Sequence, residues 1–313
     1  MVFDEILKRH KFINYNFVFL LTFLNNLKNK TVMKIIIHGG FFSESTTSTA
    51  TKLAKQQALE LIVKKSYQFL ETHSALETVV FAVSQLEDNP LFNAGTGSQI
   101  QSDGKIRMSA ALMNGANQKM SGVINIEEVQ NPIQVAALLM MEDDRILGGS
   151  GATVYARKKG FEKFSTEIPQ RRAEFDIKKK SLGIGTVGCV AIDKNNNIAA
   201  ATSTGGKGFE ISGRVSDSAT VAGNYANAFC GVSMTGVGED IVSNATAAKI
   251  VTRVTDGFSI ETAFQKTFDE LLPYDGFAGA IGIDKNGVIY HQNSHPTMVF
   301  ASFDGNNLEV FDQ

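Results

Sequence analysis

Apolar residues recur along the chain in short runs that predict strands and at helical spacing that predicts helices. Ile35, Ile36 and Ile37 form a continuous apolar run that ends at Gly39-Gly40. Such a run predicts a buried strand that leads into a tight turn. After a Ser/Thr cluster that can cap a helix, apolar residues recur at helical spacing over residues 54–65 and again over 75–86. This spacing predicts two helices.

Strand signals come after these helices. Residues 106–126 alternate small and apolar side chains around Asn114-Gly115, which predicts a strand pair joined by a turn. Two hairpins are predicted around the polar turn 193–197 and around Asn286-Gly287. Three further segments have helical spacing, namely residues 132–141, 243–254 and 260–272. Because helices and strands come in groups and do not alternate, the order predicts an α+β fold in which helices cover sheets.

Two stretches lack such patterning. The glycine-rich residues 148–151 lack the lysine of a phosphate-binding loop, and they are interpreted as a turn. Residues 160–185 carry Arg171, Arg172 and three consecutive lysines without apolar periodicity. This composition predicts a solvated, flexible connector, which would leave the chain accessible directly before Thr186.

The first 32 residues differ in character from the rest of the chain. Basic residues precede the apolar run 17–24, as in a signal peptide, but Asp4 and Glu5 lie among them and no small-residue cleavage site comes after the run. The run is also far shorter than the roughly 20 residues that span a bilayer. The segment is interpreted as an amphipathic or disordered N-terminal extension before a domain at residues 33–313, with export as the alternative.

Composition narrows the class of protein. The chain has 313 residues, is 43% hydrophobic and has a net charge of −2, so it has the material for a large core and no basic excess for binding nucleic acid. Its two cysteines, Cys189 and Cys230, cannot form a disulfide framework and have no metal-ligand spacing. We expect buried, reduced thiols in a cytoplasmic protein that binds neither nucleic acid nor membrane.

Three motifs are set aside on their context. Residues 183–188 match GxGxxG, but a polybasic segment precedes them and a strand pair comes next, where a dinucleotide site needs a strand and then a helix. His291 and His295 lie in a strand and turn region without an accompanying glutamate, so no transition-metal site is predicted. A lone histidine at a strand end, as His38 is, is interpreted as packed and hydrogen-bonded.

The pair Gly185-Thr186 is a candidate site of nucleophilic chemistry. If the peptide bond between them were cut, Thr186 would carry a hydroxyl nucleophile and a free α-amine on one residue. Gly185 has no side chain to shield its carbonyl from the threonine hydroxyl. Thr202 and Thr204 return at the far end of the hairpin, where a hydroxyl could contact the nucleophile. A structural strand threonine is the alternative interpretation.

Two later segments could read and activate a substrate. Arg214 and Asp217 place a cation and an anion three residues apart, and together they could hold the carboxylate and the ammonium of an α-amino acid. A surface ion pair is the alternative. Residues 234–239 predict a turn whose N–H groups and threonine hydroxyl could stabilise an oxyanion.

These segments together resemble a known family. GTVGCVAIDKNNNIAAATSTGG, then GRVSDS and TGVGE, resemble the plant-type asparaginases, or isoaspartyl peptidases, of the N-terminal nucleophile hydrolases. The resemblance extends from the His-Gly-Gly segment at residue 38 through LFNAG at residues 91–95 to residue 239. It implies a four-layer αββα sandwich made as an inactive precursor. Cleavage would divide the domain into an α subunit, 33–185, and a β subunit, 186–313, which assemble as a dimer of two-chain units.

The resemblance also implies roles for individual residues. Thr186 would be the nucleophile and new N-terminus, with Thr204 as its hydroxyl partner. Substrate-binding roles fall on Arg214 and Asp217, assisted by the backbone of Gly236 and Gly238. The oxyanion hole would comprise Thr235 and Gly236. Support for cleavage between Gly185 and Thr186 would come from Asn93, Gly39 and Gly40.

A structural sodium ion is the one cofactor that the resemblance implies, and none is expected for catalysis. The family's sodium loop binds the ion through backbone carbonyls and covers a Pro/Gly-interrupted segment that composition alone favours as a plain connector. Its carbonyls would be those of Leu86, Glu87, Asn89, Phe92, Ala94 and Thr96.

The implied reaction is hydrolysis of L-asparagine or of β-aspartyl dipeptides to aspartate, with the Thr186 α-amine, pKa near roughly 7.7 to 8.0, as the base. Three departures from the family pattern, Phe41, Phe42 and Ser216, leave substrate preference open. Alternatives are glycosylasparaginase or threonine endopeptidase activity, and an unprocessed, noncatalytic amino-acid-binding protein. The glycines at 185 and 205 favour the asparaginase side over the glycosylasparaginases.

Overall fold

The structure is a computed structural model that describes residues 33–41, 49–177, 185–274, 276–295 and 298–312. The predicted extension over residues 1–32, Phe42 and the three consecutive lysines of the connector lie outside the described residues. The strands are β1 (Lys34–Phe41), β2 (Met108–Asn114), β3 (Lys119–Ile126), β4 (Ile146–Gly148), β5 (Thr186–Ile192), β6 (Ile198–Thr204), β7 (Asn224–Ala226), β8 (Cys230–Gly236), β9 (Ala278–Asp284), β10 (Ile289–Asn293), β11 (Met298–Phe303) and β12 (Leu308–Val310). The helices are α1 (Thr49–Leu70), α2 (Ala75–Glu87), α3 (Pro132–Leu139), α4 (Gly149–Lys158), α5 (Pro169–Asp176), α6 (Gly238–Asn244), α7 (Thr246–Thr255) and α8 (Ile260–Asp269).

Two sheets pack face to face between two layers of helices. The larger sheet has eight strands in the order β12-β11-β1-β5-β6-β2-β3-β4, and the smaller has the order β10-β9-β8-β7. Strands β5 and β6 contact β8, and β1 contacts β9. Helices α1, α2 and α3 cover the outer face of the larger sheet, and α7 and α8 cover the smaller one. The predicted αββα fold is confirmed.

The strand at the start of the domain shows why the layers form. Ile35, Ile36 and Ile37 in β1 are all fully buried. A strand that is covered on both faces needs apolar side chains at every position, and it therefore reads as a continuous run. The hydrophobic core accordingly lies on both sides of the larger sheet.

The start of α2 follows a local sequence signal. A capping box between Ser74 and Glu77 starts this helix, close to the predicted position.

Two predictions of helices and turns need correction. The helix predicted over 243–254 is instead two helices, α6 and α7, which meet at Ala245 in a left-handed conformation with φ of 51°. The glycine-rich turn predicted at residues 148–151 is wrong, since α4 begins at Gly149.

The predicted solvated connector is wrong over part of its length. Residues Pro169–Asp176 form α5, in which Arg171 is buried. The Nε atom of Arg171 donates to the carbonyl of Gly97 at 2.9 Å, and its Nη1 donates to Glu174 at 2.9 Å. A buried guanidinium of this kind needs partners for its donors, and a single sequence does not show where they lie.

A buried carboxyl group joins three elements beside the larger sheet. Glu87, the last residue of α2, accepts hydrogen bonds at Oε1 from the Ser203 hydroxyl at 2.6 Å and from the Ile133 N–H at 3.1 Å. Its Oε2 is buried without a partner among the described residues. Burial raises the pKa of Glu87 to about 8, against the opposing effect of these hydrogen bonds. The folded protein therefore holds this side chain protonated at neutral pH.

We predict that Glu87→Gln changes how stability depends on pH. The pKa of Glu87 in the folded state, about 8, lies above its ordinary value of 4.5, so the wild-type protein loses stability as pH rises through this window. A glutamine does not titrate. From pH 5 to pH 8, the free energy of unfolding of Glu87→Gln should rise relative to that of the wild type by on the order of 3 kcal/mol.

Urea denaturation at the two pH values measures this difference. Both proteins should carry Thr186→Ala, so that every molecule unfolds as one chain. A difference between the two proteins that stays constant from pH 5 to pH 8 would show that Glu87 does not titrate in this range.

Candidate active site

Thr186 is the first residue of β5, in the middle of the larger sheet. In the β5–β6 ladder it lies opposite Thr204, the last residue of β6. The Thr186 hydroxyl donates to the Thr204 hydroxyl at 3.3 Å, which in turn donates to the carbonyl of Gly185 at 3.4 Å. Both threonines are more than nine-tenths buried. The predicted nucleophile and its predicted partner therefore meet beside the Gly185–Thr186 peptide bond.

Asn93 holds the same peptide bond from the other side. Its Nδ2 donates to the carbonyl of Gly185 at 2.8 Å and to that of Gly206 at 2.5 Å. Its Oδ1 accepts from the Gln99 N–H at 3.0 Å, which fixes the orientation of the amide. The Gly185 carbonyl oxygen thus accepts from both Asn93 and Thr204, and these donors polarise it toward nucleophilic attack.

Glycines allow the backbone of β1 to approach this bond. Gly40 has φ of 85°, and a Cβ at this position would lie 2.7 Å from the Gly185 Cα atom. A Cβ on Gly185 would lie 2.8 Å from the Cβ of Asn93, and one on Gly39 would meet the ring of Phe92. Any side chain at these three positions would have to displace the groups around the peptide bond.

Arg214 and Asp217 meet at Gly238 and do not form the surface ion pair that was the alternative interpretation of the sequence. A Cβ on Gly238 would lie 2.8 Å from Arg214 Nη2 and 2.8 Å from Asp217 Oδ1. Arg214 makes a two-pronged contact with Glu239, in which Nε and Nη2 donate at 2.8 and 2.9 Å. Asp217 is buried. The two side chains therefore frame a recess at the start of α6 and are not a surface ion pair.

The charges in this recess favour an incoming cation beside Asp217. Burial raises the pKa of Asp217 to about 7, and the positive charge of Arg214 acts in the opposite direction. Asp217 Oδ2 has no hydrogen-bond partner among the described residues. The hydrogen bond from Arg214 holds the pKa of Glu239 at about 2, so this neighbour stays charged. An ammonium group would satisfy the unpartnered oxygen and favour the ionised form of Asp217.

Thr235 and Gly236 lie at the end of β8 in the facing sheet. Thr235 is fully buried, and its hydroxyl has no partner among the residues that the structure describes. Gly236 has φ of 140°, and a Cβ there would lie 2.2 Å from the carbonyl oxygen of Phe277. Thr235 shares a face of β8 with Ser233, whose hydroxyl contacts the larger sheet. An unpartnered hydroxyl facing the nucleophile's sheet fits the predicted oxyanion role.

A small cleft brings in residues that sequence reasoning missed. It is lined by Gln101, Arg107, Ser109, Asn125, Thr204, Gly206, Glu210, Arg214 and Ser216. Glu210 is 5% exposed, and its Oε2 has no partner among the described residues. These side chains come from four separate segments, so no local motif could have grouped them. The signal that could have found the role of Glu239 is its place at the end of the predicted oxyanion turn.

Two of the departures from the family pattern, Phe41 and Ser216, lie close to the site. Ser216 lines the cleft and is buried. Phe41 is buried against Phe277, with ring centroids 4.4 Å apart, and its ring would touch a Cβ on Gly279. Phe41 therefore packs between the two sheets at the end of β1.

The remaining sequence predictions concern histidines and cysteines. His38 is fully buried and hydrogen-bonded to Ser233, which confirms the packed interpretation. Cys189 and Cys230 are buried free thiols, and burial raises the pKa of each above its ordinary value. Within the described ranges, no three side chains of the His, Cys, Asp or Glu types gather closely enough to hold a metal ion.

Among the residues that the structure describes, no helix has both the length and the apolar character to cross a bilayer.

Comparison with known proteins identifies the family. The sequence profile of the family described as Asparaginase matches residues 31–176 and 167–311. The chain belongs to the asparaginase family. An isoaspartyl peptidase/L-asparaginase from Synechocystis sp. is 44% identical over 302 residues, covering 89% of this chain and 91% of that protein.

Two further asparaginase relatives extend this likeness. An isoaspartyl peptidase/L-asparaginase from Nostoc sp. is 41% identical over 90% of this chain and 95% of its own length. An isoaspartyl peptidase from Escherichia coli is 36% identical over 81% of this chain and 87% of its own length. The resemblance found in the sequence is therefore confirmed, while the roles of individual residues stay predictions.

Proposed function

We propose that this asparaginase cleaves its own chain before Thr186 and then releases L-aspartate from β-aspartyl dipeptides and L-asparagine. The observation that carries the proposal is the contact geometry at the Gly185–Thr186 bond, where the Thr186 hydroxyl meets Thr204 and two donors hold the Gly185 carbonyl. The names of the relatives at 44% and 41% identity support the same activity.

Cleavage begins with attack of the Thr186 hydroxyl oxygen on the Gly185 carbonyl carbon. The bond from that carbon to the Thr186 nitrogen breaks, the hydroxyl proton ends on the nitrogen, and an ester forms. Asn93 and Thr204 stabilise the oxyanion through the hydrogen bonds that they already donate to the Gly185 oxygen. Water then hydrolyses the ester, which leaves a carboxylate on Gly185 and a free α-amine on Thr186.

The new α-amine is the base for substrate hydrolysis. Its reference pKa, roughly 7.7 to 8.0, leaves a neutral fraction that accepts the hydroxyl proton at physiological pH. The Thr186 oxygen attacks the side-chain carbonyl of the substrate, and ammonia or a peptide amine leaves with that proton. Water hydrolyses the resulting β-aspartyl ester to aspartate. The Thr235 hydroxyl and the Gly236 backbone stabilise the oxyanion in both steps.

The recess at Gly238 orients the substrate. Asp217 accepts from the α-ammonium, and Arg214 donates to the α-carboxylate. Glu239 occupies Nε and one N–H of Nη2 of Arg214, so the second N–H of Nη2, the nitrogen beside Gly238, remains for the ligand. This arrangement fixes the α-carbon, so the side-chain carbonyl is presented to Thr186 whichever amine is attached to it.

We predict that the wild-type protein separates on a denaturing gel into two fragments, the second beginning at Thr186. Thr186→Ala should remain one chain and release no aspartate, because it lacks the nucleophile, whereas Thr186→Ser should retain slower cleavage. N-terminal sequencing after prolonged incubation checks the cut. An intact wild-type chain would contradict the proposal and favour a noncatalytic amino-acid-binding protein. Release of aspartate from asparagine, a β-aspartyl dipeptide and glycosylated asparagine separates the remaining alternatives.

We predict that Arg214→Ala leaves chain cleavage within about twofold of the wild type and lowers kcat/KM by about 10³-fold or more, because a charged head-group contact is lost. Arg172→Ala is the matched control, since Arg172 makes a similar two-pronged contact with Glu167 on the surface. The control should change neither rate. Loss of cleavage in Arg214→Ala would show that Arg214 acts in processing and not in substrate binding.

We also propose a structural sodium ion in the loop directly after α2. Backbone carbonyls are hard oxygen donors that suit such cations. The carbonyl oxygens of Phe92, Ala94 and Thr96 accept no hydrogen bond from the described residues. Each of the other three accepts a backbone N–H, and a carbonyl oxygen keeps a second lone pair for a cation: Leu86 accepts at 3.2 Å, Glu87 at 2.7 Å and Asn89 at 3.1 Å. Gly95 and Gly97 take positive φ angles of 54° and 99°, which lets the loop turn its carbonyls inward. The residues present therefore fit the ion.

Exchange of sodium for choline at constant ionic strength tests this site. We predict that the melting temperature falls by about 2 to 4 °C in choline chloride, because a ligand bound only by the folded state stabilises it. Titration back with sodium chloride should restore the melting temperature with saturation. Equal melting temperatures in the two salts would contradict a sodium site.

Two further predictions from the sequence also stay untested. They are the assembly of two αβ units as a dimer and the cytoplasmic location. Both come from the resemblance and from composition, and both are carried forward as proposals for this asparaginase.

A further inference from the structure

A second polar row crosses the larger sheet one step below the reactive pair. In the ladders, His38 on β1 lies opposite Gly188 on β5, and Gly188 lies opposite Thr202 on β6. Gly188 is two residues beyond Thr186, and Thr202 is two residues before Thr204, so both rows face the smaller sheet. The side chains of His38 and Thr202 thus flank a glycine directly beneath the nucleophile.

Ser233 of the facing sheet fills the space above that glycine. Its hydroxyl lies 2.9 Å from His38 Nε2 and 2.7 Å from the Thr202 hydroxyl. A Cβ on Gly188 would lie 2.0 Å from the Ser233 hydroxyl and 2.4 Å from His38 Nε2. The missing side chain at Gly188 is therefore what lets one serine bond to two strands of the opposite sheet.

The direction of the hydrogen bonds depends on the ring of His38. Burial lowers the pKa of His38 to about 3, so the ring is neutral and only one nitrogen carries a proton. The backbone of Thr186 acts in the opposite direction. Nδ1 has no hydrogen-bond partner among the described residues, so the proton lies on Nε2, which donates to the Ser233 hydroxyl. The Thr202 hydroxyl donates to the Gly223 carbonyl at 3.3 Å, so it accepts from Ser233.

We propose that His38, Ser233 and Thr202 are positioning residues that lock the strand bearing the nucleophile to the strand bearing the oxyanion hole. Ser233 and Thr235 lie on one face of β8, as Gly188 and Thr186 do on β5. The contacts among His38, Ser233 and Thr202 therefore set the distance and register between Thr186 and Thr235. Nothing in this role requires His38 to exchange a proton during turnover. The inference rests on the proposed function for its kinetic readouts.

Paired substitutions at Thr202 test the chain of hydrogen bonds. Thr202→Val keeps the shape and removes the hydroxyl, whereas Thr202→Ser keeps the hydroxyl. We expect Thr202→Val to lower kcat and the rate of chain cleavage by roughly 5- to 10-fold, with KM within about twofold, because the hydrogen bonds of this hydroxyl to Ser233 and to the Gly223 carbonyl are lost. Thr202→Ser should restore both rates, and the pH profile of kcat should be the same in all three proteins.

A control separates positioning from general loss of stability. Ser121→Ala removes another fully buried hydroxyl, which donates to the Ala136 carbonyl at 2.7 Å away from the site. It should lower the melting temperature as Ser233→Ala does, but only Ser233→Ala should lower kcat. Equal kcat values for Thr202→Val and Thr202→Ser, or an equal kcat loss in Ser121→Ala, would overturn the positioning role. A shifted pH profile in Thr202→Val would show a proton relay instead.

Nitrogen NMR of the uncleaved Thr186→Ala protein gives a readout that needs no activity. With ¹⁵N-labelled histidine, and His38→Gln to assign the signal, His38 should show a protonated Nε2 and an unprotonated Nδ1 between pH 5 and pH 8. Ser233→Ala should mix the two tautomers. A proton found on Nδ1 in the parent would overturn the chain, whereas an inactive, uncleaved wild type would instead overturn the proposed function.

Discussion

The pairing of β5 with β6 is the constraint on which the rest of the site depends. This ladder places Thr186 opposite Thr204 and Gly188 opposite Thr202 in one continuous antiparallel register. A slip of one residue would turn every one of these side chains to the other face of the sheet. Because β5 and β6 are buried at every position, the polar side chains fix this register: Thr202 bonds to Ser233 of the smaller sheet, and Ser203 bonds to Glu87 on the opposite face. The pairing of these two strands thus sets the relative positions of the side chains in the site.

The Thr202-Ser203-Thr204 segment shows how that register distributes polar groups. Thr202 and Thr204 face the smaller sheet, where they meet Ser233 and Thr186. Ser203 faces the helix layer, where it bonds to the buried carboxyl of Glu87. Each hydroxyl is desolvated, and each has a partner that offsets the cost of burial. The strand end is therefore held from both sides, which restricts the motion of Thr204 beside the nucleophile.

Much of the fold and the central site could be predicted from the sequence, because these parts obey local rules. Ile35 to Ile37 indicate a buried strand, and the Gly-Thr pair with its returning threonines indicates the reactive ladder. The contacts that local patterns do not show act over long sequence separations. Glu239 engages Arg214 from 25 positions away. Asn93 reaches Gly185 across 92 positions, and only the family resemblance indicated its role. The buried Arg171 was misread because its partners, Gly97 among them, are invisible to periodicity.

The two sheets contribute different groups to the candidate active site. The nucleophile lies on the larger sheet, and the predicted oxyanion groups lie on the smaller one. Their separation therefore depends on how closely the two sheets pack, which side-chain volume normally sets at about 10 Å. At this site two glycines leave room for direct contacts between the sheets. The Ser233 hydroxyl lies against Gly188, and the ring of Phe41 lies against Gly279. The spacing near the site is thus fixed by specific contacts on either side of Thr186, so substitutions at these glycines would act on catalysis through the distance between sheets.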